Sequence, residues 1–449
     1  MSQESPNGAR GARQVFIAII KRLPGVFPLF GVIASAAWIG LRGTDDWVGA
    51  LRGAVLPVAA VWQHPIAALG LLQFGYFIFQ TVLWLRYRPV PPASGVDVPA
   101  LTVVIPAYNE GPMVERSIAS VAGADYPVDK LEVVVVDDGS RDDTFFHIER
   151  LRRTYPTLVR VIRFAGNRGK RAALEAGFRA ARGEIVVTID SDSEIERDTL
   201  RAMVAPFQEP RVGAVAGKVT VLNRSSLIGS MLDVQYTLAF DFGRAAQSSF
   251  RAVACCPGAL SAFRREVILP HLAGWLRQTF FGRPIAHGED QALTNIVLRA
   301  GYYTVYQSNA TIRTLAPARY RPLTRMFLRW ERSYVVEGFS FARFMLKRYR
   351  PDHRLLPAVN FVLSNLRLVM LYVALVQIPF MIAERPRRAS DLVITTAVSA
   401  TFAALYYLRR ERSLRFVYGV AYAFYWLLLL QWILPWAVVT ARDERWGTR

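Results

Sequence analysis

The acidic residues of this chain gather where strands end and helices begin. A β-branched run at 101–106 closes in Pro106-Ala107-Tyr108-Asn109-Glu110, and a second at 131–136 closes in Asp137-Asp138-Gly139-Ser140. An aromatic ring at Tyr108 beside a carboxylate at Asp138 suits a pyrimidine, the ring by stacking and the carboxylate by accepting the base N–H; Asp-Gly-Ser by itself also reads as a turn. A third run, 184–189, leads directly into Asp190-Ser191-Asp192. Two carboxylates one residue apart at a strand's carboxyl end suit a hard divalent cation that bridges a diphosphate and neutralises charge on a departing group; alone, the same tripeptide is also a solvated loop. Asn167-Arg168-Gly169-Lys170-Arg171 opens a helix, where backbone N–H groups with Lys170 and Arg171 are placed for phosphate. His287-Gly288-Glu289-Asp290 opens another and offers Glu289 and Asp290 where a general base is needed, although helix capping also accounts for an acid there.

The elements that must hold these groups alternate: strands at 101–106, 131–136, 158–164 and 184–189, with helices at 113–122, 143–153 and 170–181 between them. Such alternation predicts a mostly parallel sheet covered by helices, and ligands of such sheets sit at the carboxyl ends of the strands. The chain has 449 residues, a formal charge of +20, 52% hydrophobic residues, 20% charged residues and a mean hydropathy of +0.21. That balance is too apolar for a soluble globule and too charged for a chain lying wholly in lipid, so a large aqueous domain between membrane segments is expected. No zinc spacing, ribonucleoprotein signature or basic-region heptad accompanies the positive charge, which argues against a nucleic-acid partner. The two cysteines, Cys255 and Cys256, are adjacent, which excludes a disulfide framework within the chain.

Residues 1–22 are polar and basic; two transmembrane helices are expected within 23–88, one at 23–41 and one within 54–85. Arg10, Arg13, Lys21 and Arg22 precede the first and Arg86 and Arg88 follow the second, which places both flanks in the cytoplasm. A Pro-rich linker at 89–100 leads into a domain at 101–325, an amphipathic interface region at 326–355, and a C-terminal region at 356–449 with apolar stretches at 356–382, 392–408 and 416–440. The second of these is followed by the basic run Arg409-Arg410-Glu411-Arg412, and the third contains Pro435.

These motifs in this order resemble the membrane-embedded synthases of glycosyltransferase family 2: hyaluronan synthases, the rhizobial chitooligosaccharide synthase, chitin synthases and, more distantly, cellulose synthase. The likeness is most specific in Arg244-Ala245-Ala246-Gln247-Ser248, Cys255-Cys256-Pro257-Gly258-Ala259-Leu260, Gly288-Glu289-Asp290 and Arg329-Trp330-Glu331-Arg332-Ser333-Tyr334. The resemblance implies a GT-A-type α/β fold and a processive inverting transfer from a UDP-sugar to a growing polysaccharide, with Mg²⁺ or Mn²⁺ as cofactor, at a multi-pass inner (plasma) membrane with the catalytic domain cytoplasmic. It assigns Tyr108, Glu110 and Asp138 to the uridine, Lys170 to the donor, Asp190 and Asp192 to diphosphate and metal, and Asp290 to the base. Arg329 is implied at the diphosphate, Trp330 under the acceptor sugar, and Cys255, Cys256 and Pro257 along the acceptor pocket. Trp330 also reads as an interfacial aromatic anchor.

The terminal Trp446-Gly447-Thr448-Arg449 is similar to the motif that closes over the nucleotide in hyaluronan-type synthases, so Trp446 and Arg449 are implied at the donor. That motif must be cytoplasmic, which predicts that 416–440 bends along the membrane instead of crossing it. Met326 stands where the family has Gln, which removes an amide contact and puts processivity in question. Two other functions fit part of the pattern: transfer of one sugar to a polyprenyl phosphate, and a non-catalytic UDP-sugar-binding membrane subunit. The identity of the sugar, UDP-GlcNAc with or without UDP-GlcA, and any accessory subunit are left open.

Overall fold

The computed structural model describes residues 65–443, His353 excepted. The expected crossing at 23–41 and the motif at 446–449, with Trp446 and Arg449, lie outside the described residues. The chain divides into two compact units. One comprises Tyr87–Ala358 and the segment from Leu428 onward; the other comprises the described residues up to Arg86 together with Val359–Leu427.

The first unit is built on one eight-stranded sheet. Its first half follows the expected alternation: β1 (Leu101–Ala107), α1 (Met113–Ala122), β2 (Leu131–Asp137), α2 (Thr144–Thr154), β3 (Val159–Arg163), α3 (Lys170–Ala180) and β4 (Ile185–Ile189). Every residue of β1 and β4 is buried, as expected of apolar strands covered on both faces. The second half adds β5 (Ser193–Ile195), β6 (Val212–Val221), α4 (Leu227–Tyr236), β7 (Leu260–Arg264), α5 (Glu289–Arg299), β8 (Tyr303–Thr314) and the long amphipathic α6 (Tyr320–Phe344).

The strand order is β3-β2-β1-β4-β7-β6-β8-β5. The pairs β1–β2, β2–β3, β1–β4 and β6–β8 are parallel, whereas β7 runs antiparallel to both β4 and β6, and β5 to β8. Strand order turns at β1, so the loops leaving β1, β2 and β4 open a crevice at their carboxyl ends. Ala107 pairs with Asp137, and the Asp138 N–H donates to the Ala107 carbonyl at 2.9 Å, which sets Tyr108 and Asp138 side by side. Gly139 has φ +72, and a Cβ there would lie 2.4 Å from the Gly166 carbonyl carbon; the Asp-Gly-Ser turn therefore needs its glycine to meet the 166–169 loop.

The end of the chain returns to this unit as α7 (Ile433–Val439), which packs on α6. The Tyr320 hydroxyl donates to the Leu429 carbonyl at 3.0 Å. Arg332 donates to Thr440 Oγ1 at 3.1 Å and to Asp443 Oδ2 at 3.2 Å.

The second unit contains helices Pro65–Arg86, Val417–Tyr425 and Arg388–Glu411 and most of Leu355–Glu384. One polar pair is buried inside it: Gln80 Nε2 donates to Asn360 Oδ1 at 2.6 Å, a pairing that an apolar surrounding favours. Among the described residues, two helices are long and apolar enough to cross a membrane, Leu355–Glu384 and Leu392–Glu411. The third apolar stretch is broken into Leu414–Leu430 and Ile433–Val439, bent by 44°. Pro435 has no N–H for the Gln431 carbonyl four residues earlier and its ring crowds that group, so the helix breaks where the two pieces part.

Candidate active site

A cavity of about 950 Å³ lies within the first unit, at the carboxyl ends of β1, β2 and β4. Tyr108, Glu110, Asp138, Lys170, Arg171, Asp190, Asp192, Cys255, Pro257, Glu289, Asp290, Arg329 and Trp330 all line it. The motifs singled out in the sequence are thus brought to one place by strand ends (108–110, 138, 190–192), two helix starts (170–171, 289–290), one loop (255–257) and α6.

At the β2 end, Asp138 is 2% exposed and organises the loop before α3. Its Oδ1 accepts from the Arg168 N–H at 2.7 Å, and its Oδ2 from the Gly169 N–H at 2.9 Å and Asn167 Nδ2 at 3.0 Å. A carboxylate offers about four lone-pair positions, so room for one base N–H remains. Burial pushes Asp138 above its ordinary value, against the pull of those backbone donors. Thr144 Oγ1 accepts from the N–H groups of Glu110 and Gly111 at 2.7 and 2.8 Å, which fixes the loop carrying Tyr108 and Glu110.

At the β4 end, Asp190 and Asp192 both open on the cavity. Lys170 Nζ lies 2.5 Å from Asp190 Oδ1 and 3.3 Å from Glu289 Oε1. Burial alone would lower the Lys170 pKa; the Asp190 and Glu289 charges reverse this and raise it. Asp192 Oδ1 accepts from Ser193 Oγ at 3.1 Å and Thr314 Oγ1 at 3.2 Å. Two carboxylates with oriented neighbours fit a hard cation. Among the described residues no group of three or more His, Cys, Asp or Glu gathers as a metal site.

Lys170 and its neighbour Arg171 both line the cavity but make different contacts. Arg171 is 5% exposed. Its Nη1 donates to the Trp275 carbonyl at 2.8 Å and to Gln278 Oε1 at 3.0 Å, and its Nη2 to the His287 carbonyl at 2.9 Å. Successive residues on a helix point about 100° apart, so while Lys170 reaches the acids, Arg171 holds the loop that leads to Glu289.

Glu289 and Asp290 occupy the first turn of α5, where the helix dipole favours negative charge. Burial raises both, but the cations Lys170, Arg329 and Arg171 bring Glu289 below its ordinary value. Asp290 ends above its ordinary value through burial and the neighbouring Glu289 charge. Asp290 Oδ2 accepts from the Gly258 N–H at 3.0 Å, and Cys255 Sγ lies 3.8 Å from the same oxygen. Two acids with pKa values pushed apart are a pattern for one ion-pairing group and one base.

The opposite wall is aromatic. Trp330 meets Phe327, Tyr236 and Phe240 at centroid distances of 5.5, 6.0 and 6.2 Å, and the Arg244 guanidinium sits 4.2 Å over the Phe240 ring. Tyr236 donates to Met326 Sδ at 3.7 Å. Tyr236, Phe240, Arg244 and Glu331 line the cavity but were given no role from sequence. Phe240 comes from a π-helical stretch, Thr237–Phe242, whose side-chain phase cannot be read from a 3.6-residue period. Burial in this wall pushes Glu331 up to about 7.

Cys256, expected along the acceptor pocket with Cys255 and Pro257, is not part of the lining. Its side chain is 0% exposed in the core, where burial pushes the thiol up to about 12. Its backbone N–H donates to Thr294 Oγ1 at 2.9 Å.

The profile described as Glycosyl transferase family 2 matches residues 102–269. An N-acetylglucosaminyltransferase of Rhizobium sp. (strain N33) is 33% identical over 396 residues, covering 86% of this chain and 85% of that protein. An N-acetylglucosaminyltransferase of Azorhizobium caulinodans is 29% identical over 402 residues, covering 86% and 98%. A hyaluronan synthase of Streptococcus pyogenes serotype M1 is 30% identical over 393 residues, covering 86% and 91%. Among solved structures, a mannosyltransferase from Pyrobaculum calidifontis in complex with GDP-Man and Mn²⁺ superposes with a TM-score of 0.58 at 27% identity, covering 83% of this chain and 99% of that one.

Proposed function

This chain belongs to glycosyl transferase family 2, and from that premise we propose that it is a processive, inverting synthase that joins N-acetylglucosamine units from UDP-GlcNAc into a β-linked polysaccharide and passes it through its own membrane helices. The observation that carries this reading is the single cavity shared by the Asp190–Asp192 pair, Asp290 and the aromatic wall around Trp330. A nucleotide end, a base and a sugar platform in one enclosure are what transfer to a saccharide acceptor requires. The names of the relatives, N-acetylglucosaminyltransferase and hyaluronan synthase, support the sugar class.

In this account Tyr108, Glu110 and Asp138 hold the uracil and ribose, and Lys170 and Arg329 face the diphosphate. Asp190 and Asp192 would hold Mg²⁺ or Mn²⁺, which when bound stabilises charge on the leaving UDP. Trp330 presents the terminal sugar of the growing chain. Asp290 takes the proton of its hydroxyl as that oxygen attacks the anomeric carbon and the bond to the β-phosphate breaks; attack from the opposite face turns an α-donor into a β-linkage. Glu289 stays ionised against Lys170, and its charge keeps Asp290 basic.

The catalytic unit is placed on the cytoplasmic side, with two N-terminal and two C-terminal crossings. The bend between Leu430 and Ile433 and the bonds from Arg332 to Thr440 and Asp443 support a tail on the catalytic side, from which Trp446 and Arg449 can act on the donor. The deciding experiment is Asp290→Asn: UDP release falls by about 10² to 10⁴-fold, the range of general-base catalysis, while UDP binding by calorimetry is retained. Polymer formation at the wild-type rate in that variant would remove the base assignment.

A further inference from the structure

We infer that Glu337 is a positioning residue of the transfer reaction, locking the helix that carries Trp330 to the helix that carries Asp290 and offsetting the buried charge of Arg171. The inference rests on Asp290 as base, as proposed above. Glu337 does not line the cavity and is 1% exposed, so no sugar or nucleotide reaches it. All of its bonds go to elements that frame the base. Its Oε2 accepts from Asn295 Nδ2 at 2.9 Å, and its backbone carbonyl accepts from the same nitrogen at 3.0 Å. Asn295 lies on α5, five residues beyond Asp290. The other carboxylate oxygen, Glu337 Oε1, accepts from Gln278 Nε2 at 2.7 Å.

Gln278 turns its other end to Arg171, accepting at 3.0 Å, and Arg171 holds the His287 carbonyl at 2.9 Å. Carboxylate, amide and guanidinium thus form a relay in which each group satisfies the next. The relay ends at the residue before the Gly288-Glu289-Asp290 turn. A second strut closes the junction, because Ser333 Oγ on α6 donates to Gln291 Oε1 at 3.2 Å.

A buried carboxylate is costly unless it is hydrogen-bonded and compensated. A hydrophobic contact would hold two helices together at less cost, so the charge itself needs a reason. Arg171 supplies it: its buried guanidinium is countered by Glu289 first and Glu337 second, and without Glu337 more of its positive field falls on the acids and weakens the base. The charged and titratable groups that act around Asp290 are Glu289 on its own helix, Lys170 and Arg171 on α3, Cys255 and Cys256 with Arg244 across the loop, and Glu337 and Arg329 on α6. Burial raises Glu337 above its ordinary value, against the pull of the Asn295 and Gln278 amides and Arg171; where it is ionised, removing its charge leaves this set more positive and lowers the pH at which Asp290 becomes protonated.

The test uses the full chain in lipid nanodiscs, with UDP release measured against pH for Glu337→Gln, Glu337→Asp and Asn295→Ala, and UDP binding as the control for folding. In Glu337→Gln the new amide must present N–H to a group that already donates. Its kcat falls by about tenfold or more with the donor KM within about twofold, as for loss of orientation without loss of binding, and its acid limb moves to lower pH. Glu337→Asp restores the limb and most of the rate. Asn295→Ala lowers kcat with the limb in place. A Glu337→Gln protein that binds UDP and keeps the wild-type kcat and limb overturns the inference, and so does a rate loss with an unmoved limb that Glu337→Asp does not repair. If Glu337→Gln does not accumulate, a wild-type kcat in Asn295→Ala overturns it equally. Rates are ratios to wild type with whichever UDP-sugar it consumes, so a wrong sugar assignment leaves this comparison intact.

Discussion

Gly288→Ala is the smallest change that probes the junction carrying the base. Gly288 caps α5 with φ +73, and a Cβ added there would stand 2.3 Å from Ser333 Oγ and 3.0 Å from Ser333 Cβ. The left-handed conformation costs a non-glycine residue about 1 to 2 kcal/mol. Ser333 can turn its hydroxyl aside, but it then gives up its bond to Gln291 Oε1, worth about 1 kcal/mol. The Cβ–Cβ contact must still widen by a few tenths of an ångström. Together these predict a stability loss of about 2 to 3 kcal/mol. Because a shift of about 1 Å can cost a factor of 10² in rate, a shift of about half that size predicts a kcat loss of about tenfold. Thermal unfolding in nanodiscs and UDP-release kinetics measure the two effects. Ser333→Gly in the same chain removes the contact but not the backbone strain, so the double variant recovers most of the rate and only part of the stability. A Gly288→Ala protein with wild-type stability and rate, or a double variant no better than the single, would refute this reasoning.

Two further outcomes follow from the same geometry. Thr314 orients Asp192 from β8 at 3.2 Å, and loss of such a partner typically costs tenfold to 100-fold in metal affinity, so Thr314→Val should raise the Mn²⁺ concentration for half-maximal UDP release by about tenfold; an unchanged metal titration would deny Asp192 its role. As the proposed base, Asp290 must be ionised to act, and its pKa is raised by burial and Glu289, so the proposal predicts activity above that raised value and its loss as pH falls through it. The acid limb of kcat therefore lies above the ordinary carboxylate value of about 4, and a limb at or below that value would contradict the base assignment.

The placement of the candidate residues was legible in sequence where they sat on regular elements. Tyr108, Asp138 and Asp190 follow strands of continuous β-branched residues, and α3 and α5 start within a residue of the positions expected from 170 and 290. What sequence could not resolve was direction. Lys170 and Arg171 are neighbours whose side chains make contacts in different directions, and Cys255 and Cys256 divide between cavity and core because adjacent side chains need not share a surface. The helix containing Tyr236 and the π-turn containing Phe240 were given no role from sequence, and the fold brings them to Trp330. The break between Leu430 and Ile433 was foreshadowed by Pro435, since a proline disturbs the turn that precedes it.

The most direct measurement is incubation of the purified full chain in nanodiscs with labelled UDP-GlcNAc and Mg²⁺ or Mn²⁺, reading UDP release, product size by gel and digestion by a β-specific glycosidase. The account predicts UDP release with a labelled ladder longer than a disaccharide that the β-specific enzyme degrades. Label confined to a lipid-linked monosaccharide, or no UDP release with any UDP-sugar, would contradict it.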